Sequence, residues 1–224
     1  MLDTKKTDAV LGAQVEAHLQ SIGMNTPMME HNIHTDASKK RILEVKFAEI
    51  METLGLDLDD DSLADTPRRW AKMMVEDLMS GLSPDMFPKC TTVDNKMNYD
   101  QVVCEKGISV MSQCEHHIQT IDGFATVAYI PKNKVLGLSK MNRIVEYFSR
   151  RPQIQERLTV QIAETLKFIL DTEDVAVMLD CKHYCVKARG VEDSGSTTVT
   201  SHLSGAFRNE SSCRAEFMGL AARS

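Results

Sequence analysis

The chain has 224 residues, of which 42% are hydrophobic and 26% charged, and its formal net charge is −6 at pH 7. This composition is typical of a folded protein with one large domain, or with a core domain and an appendage. The negative charge argues against a nucleic-acid partner, because proteins that coat a phosphate backbone usually carry a positive surface. No apolar run approaches the ~20 residues that cross a bilayer, which argues against a membrane protein.

The N-terminal sequence carries acidic side chains where a secretory signal peptide would have its apolar segment. We therefore expect a cytoplasmic protein. Its six cysteines are then expected to be reduced, which makes them candidate metal ligands or buried thiols.

The first part of the chain is predicted to be helical. One amphipathic stretch spans residues 10–22, and apolar residues at helical spacing between Ile42 and Leu54 predict a second helix. A third helix is predicted to begin near Pro67, a residue that suits a first helical turn, and to run to about Gly81. We therefore interpret residues 1–90 as an N-terminal helical region.

Strand patterns begin at about Thr91. The segments QVVCEKGISVMS and GFATVAYIP predict two strands, and DVAVMLDCKHYCVKA and STTVTSHLS predict two more. Between these pairs, SKMNRIVEYFSRR and RPQIQERLTVQIAETLKFIL predict two helices, the first capped by Ser139. Two strands, two helices and two strands argue for an α+β domain with an antiparallel sheet over residues 91–224.

Two segments rich in cysteine and histidine predict a metal site. Cys114 and His117 in CEHH are three residues apart, so one turn of chain can bring both side chains to one point, and Cys185 ends the segment HYC. Two thiolates and one imidazole form a known catalytic zinc set with an open fourth position. The alternative is a closed structural site to which Cys181 adds a third thiolate.

Strand geometry favours the open site. If the strand continues through Cys185, Cys181 and Cys185 lie about 13 Å apart on one face at ~3.3 Å per residue. Two Zn–S bonds of about 2.3 Å cannot close that gap, so only one of the two cysteines is a ligand unless the strand breaks. His183 then lies one pleat from the metal, where a proton-transferring residue belongs.

Basic residues near these segments indicate a site for a small polyanion. The same strand face leads to Arg189, and SKMNR places Ser139, Lys140 and Arg143 at a helix N-terminus, where N–H groups and the dipole favour anions. The chain has no Walker A sequence, so a nucleotide here would be bound as a reactant. Glu156, in the first turn of the next helix, could by itself simply complement that helix dipole.

Six segments resemble the bacterial GTP cyclohydrolase I family: DSLADTPRRWAKM, CEHH, TIDGFATVAYIPK, GLSKMNRIV, RPQIQERLT and HYCVKARG. The resemblance covers about 180 residues, from about Ser38 onwards. It implies the T-fold, an antiparallel sheet with two helices packed on one face. It also implies a homo-oligomer, typically a decamer of two stacked pentamers, with active sites between subunits.

The reaction of that family converts GTP and water into formate and 7,8-dihydroneopterin triphosphate, the first step of tetrahydrofolate and pterin biosynthesis. The guanine imidazole ring opens by hydrolysis once N7 is protonated, which a histidine can do near neutral pH. The resemblance implies His116 and His183 as the catalytic histidines, and the sequence leaves open which of them protonates N7.

The resemblance also implies ligands for zinc and for GTP. Cys114, His117 and Cys185 correspond to the zinc ligands, and Cys181 falls where the family has none. The residues that would contact GTP are a guanine-reading pair, Gln155 and Glu156, and a triphosphate-binding set, Ser139, Lys140, Arg143 and Arg189, with Arg69 and Lys72 from the N-terminal region.

Two alternatives remain open. The first is another T-fold enzyme that acts on a pterin or a deazapurine, such as 6-pyruvoyl-tetrahydropterin synthase, whose zinc has three histidine ligands, or the nitrile reductase of queuosine synthesis, which needs a catalytic cysteine and a nicotinamide. The second is a zinc-stabilised interaction module without catalysis. Such a module would need a fourth protein ligand, and it leaves His116 and His183 unexplained.

Overall fold

The structure is a computed structural model that describes residues 4–29 and 34–222. The chain divides into two compact units, one formed by Pro27–Ser80 and the other by residues 2–26 together with residues 81–224. Within the described residues no helix is both long enough and apolar enough to span a membrane.

The helices of the N-terminal part form close to where the sequence predicts them. They are α1 (Ala9–Ser21), α2 (Asp36–Thr53) and α3 (Thr66–Lys72). Pro67 lies in the first turn of α3, where its missing N–H leaves no intrahelical bond unmade. The chain then continues through a π-helical turn over Met73–Leu78.

The described strands form two sheets. Their bounds are β1 (Thr92–Asp94), β2 (Val103–Cys114), β3 (Thr120–Tyr129), β4 (Lys134–Leu136), β5 (Pro152–Gln153), β6 (Val175–His183) and β7 (Thr198–Leu203). The main sheet has the order β5-β2-β3-β6-β7, and β1 and β4 form a small separate ladder. Neighbours from β2 to β7 are antiparallel, whereas β5 pairs in parallel with the last two residues of β2.

Two long helices, α4 (Ser139–Ser149) and α5 (Gln155–Leu170), cover one face of the main sheet. Apolar residues at helical spacing, among them Ile144 and Phe148 on α4 and Leu158 and Ile162 on α5, are fully buried against the sheet. Each such side chain contributes about 1.5–3 kcal/mol of burial free energy. The predicted α+β architecture, an antiparallel sheet with two helices on one face, is confirmed.

The opposite face of the sheet carries a smaller apolar cluster that the sequence did not predict. After the four-residue α6 (Tyr184–Lys187), the chain ends in α7 (Gly205–Asn209) and α8 (Ser211–Ala221). Phe207 and Phe217 from these helices meet edge-on, with ring centroids 5.7 Å apart, and pack on Ala128 and Ala176 of the sheet. The C-terminal helices therefore cover the part of the second face around Ala128 and Ala176.

The predicted strand through Ala188 is wrong. β6 ends at His183, and the chain turns at once into α6. The reason is that β6 loses its partners there. β7 pairs with β6 only as far as Cys181, and β3 pairs with β6 only as far as His183. Beyond that point an extended backbone would leave its N–H and C=O groups unpaired.

The predicted cap at Ser139 is also wrong. Leu138 occupies the capping position of α4, and no side chain caps that end. The N–H of Lys140 bonds to the carbonyl of Gly137 at 2.8 Å, so the helical turn already begins before Ser139.

Candidate active site

The CEHH segment connects β2 to β3 and folds as a single helical turn. Cys114 ends β2, its N–H donates to the Gln119 carbonyl at 2.8 Å, and its carbonyl accepts from the Ile118 N–H at 2.8 Å. Ile118 has φ 51°, a left-handed conformation that is uncommon for a β-branched residue and is held here by the closed turn. The turn therefore brings Cys114 and His117 to the same side of the chain.

The break after β6 brings the second cysteine to this turn. Cys185 lies in α6, and the potential ligand atoms of Cys114, His117 and Cys185 all lie within 4.8 Å of one another. Among the described residues, no other group of three or more His, Cys, Asp or Glu side chains has this arrangement. Cys181 is instead buried in the sheet, and burial raises the pKa of its thiol to about 12.

The donor set fits a divalent metal ion. Burial raises the pKa of the Cys185 thiol, the hydrogen bond and charge of Cys114 raise it further, and the nearby Arg189 lowers it. Two thiolates at this separation repel each other, and a bound cation removes that cost. Thiolate and imidazole are the ligands of a soft or borderline metal, so the group could hold such an ion.

Arg189 contacts a member of this group directly. Its Nη1 lies 2.7 Å from Nε2 of His117. A guanidinium can only donate, so Nε2 of a neutral imidazole accepts this bond with the free lone pair of the ring, and a cation bound at Nε2 would displace Arg189. Arg189 therefore lies beside the metal group.

A salt bridge fastens the CEHH turn to α5. The Glu115 carboxylate pairs with Nη2 of Arg157, and the Glu115 N–H donates to the Gln153 carbonyl at 3.0 Å. Nε of Arg157 also donates to Oε1 of Gln153 at 3.1 Å. Because Arg157 is largely buried, this contact fixes the position of the turn relative to the helix.

The two candidate catalytic histidines have different surroundings. The His116 side chain is 64% exposed, and its Nδ1 lies 3.8 Å from the Cys114 sulfur. His183 is only partly exposed, and its Nε2 lies 2.7 Å from Oε1 of Gln155. Burial lowers the pKa of His183, and the charge of Glu156 partly opposes that effect.

Gln155 and Glu156 begin α5 beside His183. The Gln155 side chain is buried, and its amide nitrogen donates to the sheet, whereas Glu156 is exposed. The N–H groups in the first turn of a helix have no intrahelical acceptor, and no side chain of the described residues caps this end of α5. The structure therefore brings Gln155, Glu156 and His183 together.

The predicted triphosphate-binding residues lie on several elements. Ser139, Lys140 and Arg143 lie in the first turns of α4, and no hydrogen bond between described residues joins them to the metal group. Arg69 and Lys72 lie on α3 in the Pro27–Ser80 unit, with side chains 74% and 62% exposed. Arg189 contacts the candidate ligand His117.

Sequence reasoning missed the residues that hold the site in place. Glu115 lies inside the CEHH motif, and its position there is a signal that a carboxylate could serve the turn. Arg157 and Thr200 carry no such signal, because their contacts depend on how α5 and β7 are placed against the ends of β2 and β6.

Comparison with known proteins gives a consistent result. Residues 43–222 match the family model described as GTP cyclohydrolase I. GTP cyclohydrolase 1 of Shewanella sp. (strain ANA-3) is 53% identical over 205 residues, which cover 92% of this chain and 94% of that protein. The corresponding protein of Shewanella oneidensis is 52% identical, with the same coverage of 92% and 94%.

One solved structure gives a weaker match. The archaeosine synthase QueF-Like in the apo form aligns with 46% of this chain and 93% of its own, at 22% identity and a TM-score of 0.37. That score is too low to support an argument about fold or function.

Proposed function

Because the chain belongs to the GTP cyclohydrolase I family, we propose that it hydrolyses the imidazole ring of GTP in a zinc-dependent reaction, releasing formate and forming 7,8-dihydroneopterin triphosphate. This is the first step of tetrahydrofolate and pterin biosynthesis. The observation that carries the proposal is the convergence of Cys114, His117 and Cys185 next to the segment that holds His183.

Zinc is the proposed ion, and Cys114, His117 and Cys185 are its proposed ligands. Two thiolates and one imidazole suit zinc, and three protein ligands leave a fourth position for the reaction. When bound, zinc supplies a Lewis acid that lowers the pKa of water towards ~7. The buried, protonated Cys181 supports a three-ligand site, since it lies outside the group.

His183 and His116 are the proposed proton-transferring residues. Guanine C8 is a poor electrophile until N7 is protonated, and imidazole can transfer that proton near neutral pH. The ring of His183 is held at 2.7 Å by Gln155, which suits transfer at one defined atom. The exposed His116 is better suited to exchange protons with solvent.

Guanine recognition is assigned to the start of α5. The Glu156 carboxylate can accept the N1–H and 2-amino donors of guanine together, and adenine offers no such pair. Gln155 would contribute its main-chain N–H at the uncapped helix end, because its side-chain amide is occupied by the sheet. The proposed triphosphate contacts are Ser139, Lys140, Arg143 and Arg189, with Arg69 and Lys72.

The proposed assembly is a cytoplasmic homodecamer of two stacked pentamers with active sites between subunits. Residues 91–224 would form its catalytic domain, preceded by the helical region 1–90. Open sheet edges support association, since among the described strands β7 pairs only with β6, and β2 pairs with β5 over only two residues. Phe124 and Val199 of the sheet are 60% and 56% exposed, so a neighbouring subunit could cover them.

Incubation with GTP tests the proposed reaction. The zinc-loaded protein should release one formate for each pterin detected by fluorescence after oxidation, and ATP should give neither product. Protein stripped of metal is the control and should be inactive until zinc is restored. A zinc-loaded protein that releases no formate would favour the non-catalytic interaction module.

A further inference from the structure

The side-chain amide of Gln155 is locked in one orientation. Its nitrogen lies 2.8 Å from the Thr198 carbonyl, 3.3 Å from the Leu179 carbonyl and 3.0 Å from Oγ1 of Thr200. Carbonyl oxygens can only accept hydrogen bonds, so the NH₂ end of the amide must face them. The reverse orientation would set an oxygen against two carbonyls in a side chain that is 1% exposed.

A pair of threonines reinforces this orientation. The Thr159 hydroxyl donates to the Gln155 carbonyl at 2.8 Å, which uses its hydrogen. The 2.7 Å contact between the Thr159 and Thr200 hydroxyls must then be donated by Thr200. Thr200 consequently presents a lone pair to Gln155, and each hydrogen bond in the network has one possible direction.

This network determines the hydrogen bond to His183. With the NH₂ end committed to the sheet, Oε1 of Gln155 lies 2.7 Å from Nε2 of His183 and can only accept. Nε2 must therefore carry a hydrogen. In a neutral imidazole Nδ1 is then the nitrogen with the free lone pair.

We propose that Gln155 is a positioning residue that fixes Nε2 of His183 as a hydrogen-bond donor, so that His183 exchanges protons with the substrate only through Nδ1. This inference rests on the proposed catalytic role of His183. An amide suits the task because it fixes the tautomer without adding a negative charge beside the site. In other enzymes a residue that orients an imidazole has a large effect on the rate although it does not touch the substrate.

A double-mutant cycle separates positioning from the other roles open to Gln155. Gln155→Met keeps the side-chain volume and removes the hydrogen bonds. In the wild-type background we expect kcat to fall by about 10–100-fold, with little change in KM or zinc content. In the His183→Ala background the same substitution should have almost no further effect, because the residue it positions is gone.

Other patterns would overturn the proposal. A side chain that reads guanine would raise KM by the same factor in both backgrounds. A purely structural side chain would lower the melting temperature and the activity in both. Thr200→Val is the matched control, since the two backbone carbonyls still orient the amide, and kcat should fall by less than about threefold.

Neutron diffraction of the zinc-loaded protein tests the assignment without any assay. Deuterium should occupy Nε2 of His183 and both positions of the Gln155 amide nitrogen that face the sheet. A bare Nε2 would overturn the inference, even if the protein turns over GTP. Wild-type activity in His183→Ala would instead refute the proposed role of His183, so the two failures can be told apart.

Discussion

The molecule compensates charge differently at two places, around Arg151 and at the Cys114–His117–Cys185 group. The Arg151 side chain is 1% exposed, yet its charge is met within the chain by Glu16 at 2.9 Å and by the Thr26 hydroxyl at 3.1 Å. Its guanidinium also lies over the ring of Tyr147, 4.6 Å from the centroid. The charge of Arg151 is therefore compensated within the chain, although its Nε has no hydrogen-bond partner among the described residues.

The charge of the metal group is not compensated in the same way. Its two thiols lie against each other, and the contact with Cys114 helps to raise the pKa of Cys185. Nothing in the group itself compensates two thiolates, and a bound cation would. The comparison indicates that Arg151 stabilises the fold, and it agrees with the proposed metal-binding role of the two cysteines.

The largest effect is expected for the cysteines. Cys114→Ser and Cys185→Ser should lose zinc and lower turnover by more than about 10³-fold, because the reaction loses its Lewis acid. Cys181→Ser should keep both zinc and activity, since that thiol is buried outside the group. Zinc per subunit and formate release measure the outcome. Equal zinc loss in all three variants would mean a closed site in which Cys181 takes part.

Glu156→Ala should have the next largest effect. If its carboxylate accepts two hydrogen bonds from guanine, kcat/KM for GTP should fall by about 10³–10⁴-fold with normal zinc content. If Glu156 only complements the dipole of α5, about 0.3–1 kcal/mol of stability is lost and turnover is kept. Glu173→Ala removes an acid that is 75% exposed and serves as the matched control. Near wild-type turnover in Glu156→Ala would show that guanine binds elsewhere.

Arg151→Met should destabilise the fold and leave the chemistry intact. Removing one partner of a buried ion pair costs about 3–5 kcal/mol, because the partner that remains is left uncompensated. The neighbouring Arg150 pairs with Glu146 at 3.4 Å on a more exposed surface, so Arg150→Met should cost less than about 1 kcal/mol. Urea unfolding of the two variants gives the difference. Equal losses of unfolding free energy in the two variants would contradict the stabilising role assigned to the Arg151 ion pair.

The smallest effect is expected from His202. Burial lowers its pKa from 6.5, the charge of Glu164 partly opposes this, and Lys167 and Arg208 add to it. The unfolded chain therefore binds more protons than the folded one below about pH 6.5, so the free energy of unfolding falls as the pH drops from about 6.5 to the lowered pKa. His202→Asn should show a shallower fall. An unchanged pH dependence between about pH 7.5 and pH 5.5 would contradict this.

Much of the fold could be predicted because the signals were local. The periodicity of α2, α4 and α5 and the alternation in β2 and β3 depend on sequence spacing alone. The end of β6 could not be predicted, since it depends on where its neighbours stop pairing. α7 and α8 were missed because Phe207 and Phe217 bury against a sheet face that exists only once the strands assemble.

The features of the site also divide into those that depend on local sequence spacing and those that depend on tertiary placement. The convergence of Cys114 and His117 follows from their spacing within one turn, and the structure shows them together. The exclusion of Cys181 was argued from a strand that continues through Cys185, whereas β6 ends at His183, although Cys181 does lie outside the group. The hydrogen bonds of Gln155, Arg157 and Arg189 depend on tertiary placement and carry no sequence signal of their own.

X-ray absorption at the zinc edge tests the central claim most directly. The zinc-loaded protein should show two sulfur ligands, one imidazole nitrogen and a fourth ligand that does not come from the protein, and Cys181→Ser should leave this spectrum unchanged. Three sulfur ligands in the wild type, with one lost in Cys181→Ser, would contradict an open catalytic site at Cys114, His117 and Cys185.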